Sequence, residues 1–143
     1  MQTIQHARIA RPRIVIGATE HQKLWQLAER ALQRDDHAIT AEFLVDELSR
    51  AYIVPDGTCA ANVVQIGSEV TYREESSARI RRVKLVFPHE ANIEHNRISV
   101  LTPIGAALIG LTIAQTIEWP TPDGRKDAVT VLDVSNESEM SIA

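Results

Sequence analysis

The chain is poor in the residues that carry covalent and metal chemistry. Its single cysteine, Cys59, excludes an internal disulfide and a cysteine-rich metal cluster, and it suits a reducing compartment. A catalytic thiol needs an activating neighbourhood, and no motif around Cys59 supplies one. No apolar run approaches the roughly 18 residues that cross a bilayer. Residues 1–13 (MQTIQHARIARPR) also lack a hydrophobic signal core. A soluble, unexported, cytoplasmic protein without membrane contact is therefore expected. There is no glycine-rich phosphate loop, no His-x-x-x-His pair and no Gly-x-Ser-x-Gly elbow, so neither a cofactor, a metal nor an enzymatic role is called for. The histidines are scattered through polar segments, which suits solvent exposure better than metal ligation. A net charge of −4 disfavours a uniformly basic nucleic-acid binder, and DNA contact is expected only through a protein partner.

What the chain does have is organised around residues 98–111, ISVLTPIGAALIGL. Ile98, Ser99, Val100 and Leu101 alternate as a short strand does. Thr102 then suits a helix N-cap, and Pro103 the first helical position, where its missing N–H costs nothing. An almost wholly apolar helix follows, closed by Gly110. Such a helix is stable only when covered on nearly every side, so the other strands are expected to curl over it.

With 143 residues the chain suffices for one domain, or one domain with a small appendage. Residues 1–13 hold His6, Arg8, Arg11 and Arg13 without an acid and read as a flexible basic arm. In residues 14–57, Thr19 and Gln22 spell a capping box, and Leu24, Leu27, Ala28, Ala31 and Leu32 share one helical face. Thr40 then opens a second amphipathic helix carrying Phe43, Leu44, Leu48 and Tyr52. Two such helices joined by a short polar loop lie antiparallel, as a hairpin with arms of about 18 to 24 Å. Pro55-Asp56-Gly57 ends it with a turn.

From residue 58 the period changes to alternation. Val64, Ile66, Val70 and Tyr72 suggest a strand, residues 79–87 its return, residues 116–119 and 127–134 a second hairpin around Pro122-Asp123-Gly124, and residues 135–143 a flexible acidic tail. Arg79, Arg81, Arg82 and Lys84 face Glu69, Glu74 and Glu75 in that register, so cross-strand ion pairing accounts for them better than phosphate binding. The expected fold class is α+β: a short helical hairpin, then an antiparallel sheet over residues 58–134 wrapped on one short helix. At the hairpin tip Asp35 and Asp36 stand side by side. They form an oxygen-donor pair of the kind magnesium takes, although capping and solvating a turn is the plainer role for them.

Gly67-Ser68-Glu69-Val70-Thr71-Tyr72, the run VKLVFP at residues 83–88, residues 98–110 and Ile117-Glu118-Trp119 together resemble the regulator of nucleoside diphosphate kinase family. Over its C-terminal half that family is similar to the Gre transcript-cleavage factors. The resemblance covers residues 60–134 well and the hairpin more loosely. It implies an FKBP-like C-terminal domain behind a short coiled coil, acting by binding RNA polymerase beside its secondary channel. Carried over residue by residue, it implies a polymerase-binding junction at Ser99, Leu101, Thr102 and Pro103, with Asp35 and Asp36 at the tip position that holds acidic residues in Gre factors. Those factors have a coiled coil roughly twice as long, so binding without transcript cleavage is expected here. Two alternatives stand beside this: direct modulation of nucleoside diphosphate kinase by protein contact, and a peptidyl-prolyl isomerase suggested by fold alone. A self-pairing interaction module using Trp25 and Tyr52 is a third.

Overall fold

The computed structural model describes residues 11–35, 37–120 and 125–136. Asp36, the turn at residues 122–124, residues 1–10 of the basic arm and residues 137–143 of the tail lie outside these. The chain is α+β. A short strand β1 (Val15–Gly17) leads into helix α1 (Ala18–Gln33), and helix α2 (Ala38–Arg50) returns to β2 (Tyr52–Val54), which pairs with β1 in parallel. The remaining strands are β3 (Glu69–Glu74), β4 (Arg79–Val86), β5 (Arg97–Ser99), β6 (Thr116–Pro120) and β7 (Lys126–Ser135), with helix α3 (Pro103–Leu108) between β5 and β6. They form one curled sheet in the order β5-β4-β3-β7-β6.

Helix α3 sits in the core, as its composition demands. Ala106, Ala107, Leu108 and Ile109 are buried together with the inward positions of the strands: Val70 and Tyr72, Val83 and Leu85, Ile117, Val129 and Val131. Each fully buried Leu or Ile contributes roughly 1.5–3 kcal/mol. The helix can approach β5 only because residue 105 has no side chain: a Cβ there would lie 2.1 Å from the Ser99 carbonyl oxygen. The same core continues without a break into Leu24, Ala28 and Ala31 of α1 and Ala41, Leu44 and Leu48 of α2. The two helices run antiparallel, since His21 near the start of α1 lies 3.0 Å from the Leu48 carbonyl oxygen near the end of α2.

Several local expectations are corrected. The sheet is mostly, not wholly, antiparallel: β5 joins β4 in parallel. The chain between them makes two 3-10 turns, and Asn96 in the left-handed region (φ 57) sends it back in the same direction. Helix α1 starts before Thr19. No side chain of its own caps it; instead the Asp56 carboxylate accepts from Thr19 N–H at 2.8 Å and from its hydroxyl. A distant anion at a helix N-terminus outcompetes the local capping box. Helix α2 likewise starts two residues before Thr40, and Tyr52 belongs to a strand rather than to that helix. The segment around Val64 and Ile66 is a turn, because the Ser68 hydroxyl accepts from Gln65 N–H, and the strand begins at Glu69. In β7 the register pairs Thr71 with Asp133 but Tyr72 with Val131. This bulge leaves Leu132 extra and turns Val134, not Asp133, onto the core.

Candidate functional site

The junction between β5 and α3 is a compact hydrogen-bonded corner. Ser99 is buried, and its hydroxyl accepts from Leu101 N–H at 2.9 Å. The Thr102 hydroxyl donates to the Ser99 carbonyl at 2.7 Å and accepts from Gly105 N–H at 3.1 Å, which makes Thr102 the N-cap with Pro103 in the first turn. Leu101 is buried too. Of the four residues singled out here, Ser99 and Leu101 therefore shape the corner from within, while Thr102 and Pro103 are partly exposed.

Beside Pro103 opens a cleft of about 320 Å³, lined by Ile39, Thr40 and Phe43 of α2, Pro103 and Ala106 of α3, and Trp119 of β6. Ile39 is 68% exposed at its rim. The indole Nε1 of Trp119 is buried and has no hydrogen-bond partner among the described residues. The start of α2 adjoins the loop that carries Asp35, so the tip of the helix pair lies against the sheet and α3 instead of projecting away from them. Asp35 itself is exposed and adopts φ 55.

The other end of the helix pair has opposite chemistry. A cavity of about 280 Å³ is lined by Glu20, Lys23, Asp56, Cys59, Gln65 and Phe87. One Glu20 carboxylate oxygen accepts from Ile66 N–H at 3.3 Å; the other is buried with no hydrogen-bond partner among the described residues. Burial pushes the Glu20 carboxyl up to about 7, against the opposing pull of the Ile66 N–H and of Lys23. Burial and the Glu20 charge also push the Cys59 thiol up, which leaves it a poorer nucleophile. Hydrogen bonds from Thr19 hold Asp56 below its ordinary value.

Two basic residues of β4 meet acids of β3. Arg82 meets Glu69 at 2.7 Å and Arg81 meets Glu74 at 3.9 Å, while Arg73 pairs with Glu75 at 3.2 Å. Among the described residues no three His, Cys, Asp or Glu side chains gather to hold a metal. No described helix is long and apolar enough to cross a membrane. The aromatic residues of the C-terminal part lie in different surroundings: Tyr72 is in the core, Phe87 lines the polar cavity and Trp119 lines the apolar cleft.

The cleft and the polar cavity escape a reading by periodicity. Ile39 falls in the loop if α2 is started at Thr40, and Glu20 looks like an ordinary first-turn acid. The alternation of residues 116–119 did carry a signal that Trp119 faces inward.

The family model described as "Transcription elongation factor, GreA/GreB, C-term" matches residues 59–136. The regulator of nucleoside diphosphate kinase of Escherichia coli K12 is 29% identical over 131 residues, covering 92% of this chain and 95% of that protein. The transcription elongation factor GreA of Rhodospirillum rubrum is 32% identical over 117 residues, covering 80% and 74%. Among solved structures, a prokaryotic transcription elongation factor GreA/GreB from Nitrosomonas europaea superposes with a TM-score of 0.63 at 32% identity, over 87% of this chain and 99% of that one.

Proposed function

The chain belongs to the GreA/GreB transcription elongation factor family, and from that premise we propose that it is a regulator that binds RNA polymerase beside the secondary channel without cleaving transcripts. In this reading the FKBP-like body grips the polymerase through the corner at Ser99, Leu101, Thr102 and Pro103. Thr102 and Pro103 make the contact, and the two buried residues hold them in place. The helix pair is the hairpin that in longer relatives delivers acidic residues.

The observation that carries the absence of cleavage is the position of the tip. Helices of 16 and 13 residues rise only about 24 and 20 Å, and the start of α2 shares a cleft with Pro103 and Trp119. Asp35 in the connecting loop therefore stays beside the gripping surface and has no long arm to carry it to a distant metal. The protein occupies the channel mouth and competes with longer factors.

Core RNA polymerase mixed with the tagged protein should co-elute, and stalled elongation complexes should yield no cleaved transcript. Robust cleavage lost in Asp35→Ala would overturn the proposal. The relative named for regulating nucleoside diphosphate kinase is matched over nearly its whole length, which favours one second reading, direct contact with that kinase. A lysate pull-down that returns the kinase without polymerase subunits would establish it instead.

A further inference from the structure

The cleft beside Pro103 has apolar walls, yet the fold brings to it hydrogen-bond donors that it leaves unused. Helix α2 begins there: its N-cap His37 and its first turn, Ala38, Ile39 and Thr40, all line the cleft. The first bond within the helix runs from Ala41 N–H to the His37 carbonyl at 2.8 Å, so the N–H groups of Ala38, Ile39 and Thr40 have no partner along the helix. His37 sits in the left-handed region (φ 53), its side chain caps none of them, and the first turn carries no acid. Among the described residues no carboxylate does for α2 what Asp56 does for α1. The positive pole of a 13-residue helix therefore meets the cleft without an anion bonded to it.

Trp119 of β6 makes the same demand from a different element. It lines the cleft and is only 9% exposed, and its indole N–H is buried with no hydrogen-bond partner among the described residues. A buried donor left unpaired costs free energy that an acceptor would return. Phe43, Pro103 and Ala106, which line the same space, have side chains of hydrocarbon alone. A few donors on otherwise apolar walls, around a volume of about 320 Å³, is the make-up of a small-molecule pocket. Asp35, in the loop before α2, is exposed to water, where solvent screens its charge.

We propose that the cleft is a binding site for a small apolar carboxylate. The hydrocarbon part packs against Phe43, Pro103 and Ala106, and the anionic oxygens accept from the start of α2 and from the Trp119 indole. The helix pole and its donors select a charged oxygen over a neutral one. The walls select a hydrocarbon body over a bare anion. This assignment rests on the cleft alone and holds or fails independently of the polymerase reading.

The chain has two tryptophans, so its proton–nitrogen correlation spectrum carries two indole signals, and Trp25→Phe identifies that of Trp119. Hydrocinnamate added to the full chain should move the Trp119 indole proton downfield and shift the amides of Ala38, Ile39 and Thr40 with one common Kd. Hydrocinnamamide, of the same shape but uncharged, should bind about tenfold more weakly, and acetate should move nothing. Ile39 is 68% exposed, so Ile39→Asp should fold; it puts a carboxylate of the chain's own into the first turn. Its urea midpoint should be unchanged or higher, while the hydrocinnamate titration should disappear. A Trp119 signal that hydrocinnamate leaves unmoved overturns the proposal. So does an amide that binds as tightly as the acid, or a titration that survives in Ile39→Asp.

Discussion

The helix pair meets the sheet at both of its ends, and the two joints are made from opposite materials. At the tip, Ile39 and Phe43 of α2 line an apolar cleft together with Ala106 of α3 and Trp119 of β6. At the base, β1 lies against residue 110, with Val15 N–H donating to the Gly110 carbonyl at 3.1 Å. There Asp56 holds the start of α1, and Glu20 reaches the Ile66 amide. The tip should tolerate change at its rim, because Ile39 there is largely exposed. The base is more specific, because Asp56, Glu20 and Val15 each close a directed hydrogen bond there. A surface that must bind something else belongs at the first kind of joint, and a fixed anchor at the second.

The sharpest break of this contrast is at the base. Gly110 sits at φ +79, and a Cβ there would lie 2.6 Å from Ile14 Cβ. Gly110→Ala should therefore cost about 3 kcal/mol through strain and overpacking combined, read as a lower midpoint in urea unfolding. Next comes pH. The folded-state value of Glu20 is about 7 against an ordinary 4.5, so the native state favours the protonated form. Its contribution is complete below about pH 4.5 and is lost as pH rises through 7, up to about 3 kcal/mol. Unfolding midpoints measured from pH 5 to pH 8 should fall, and Glu20→Gln should flatten the curve. At the corner, Thr102→Ala removes the cap of α3 and should cost about 1 kcal/mol; a larger loss would mean that the corner anchors the sheet as well. The smallest stability effect belongs at the tip: Ile39→Ser should change stability by less than about 0.5 kcal/mol while weakening capture of core RNA polymerase on an affinity resin. A large loss of stability there would erase the distinction between the joints.

Much of this architecture is written in local pattern. Thr102, Pro103 and Gly110 carry position-specific backbone demands, so strand, cap, helix and stop can be read from residues 98–111 without any other part of the chain. The ion pairs of β3 and β4 follow from register once the turn at residues 75–78 is recognised. The parts that could not be read depend on distant partners. Thr19 and Gln22 spell a capping box, yet Asp56, far along the chain, takes the role. Tyr52 continues a helical period, but its N–H donates to the Ile14 carbonyl at 2.8 Å and so joins a strand. The bulge at Leu132 reverses an alternation that periodicity carries straight through. The site divides in the same way: the corner residues lie together in sequence, whereas the cleft is assembled from α2, α3 and β6, which only folding brings together.

The seam between Ile14 and Gly110 has a bearing on how the molecule is made. These residues are separated by most of the polypeptide, and closing so large a loop slows the search for native contacts. On the ribosome the two helices emerge early, yet their base cannot lock until the stretch around residue 110 has left the exit tunnel. Assembly should therefore finish late and nearly all at once, with the helix pair waiting on the body it will rest against.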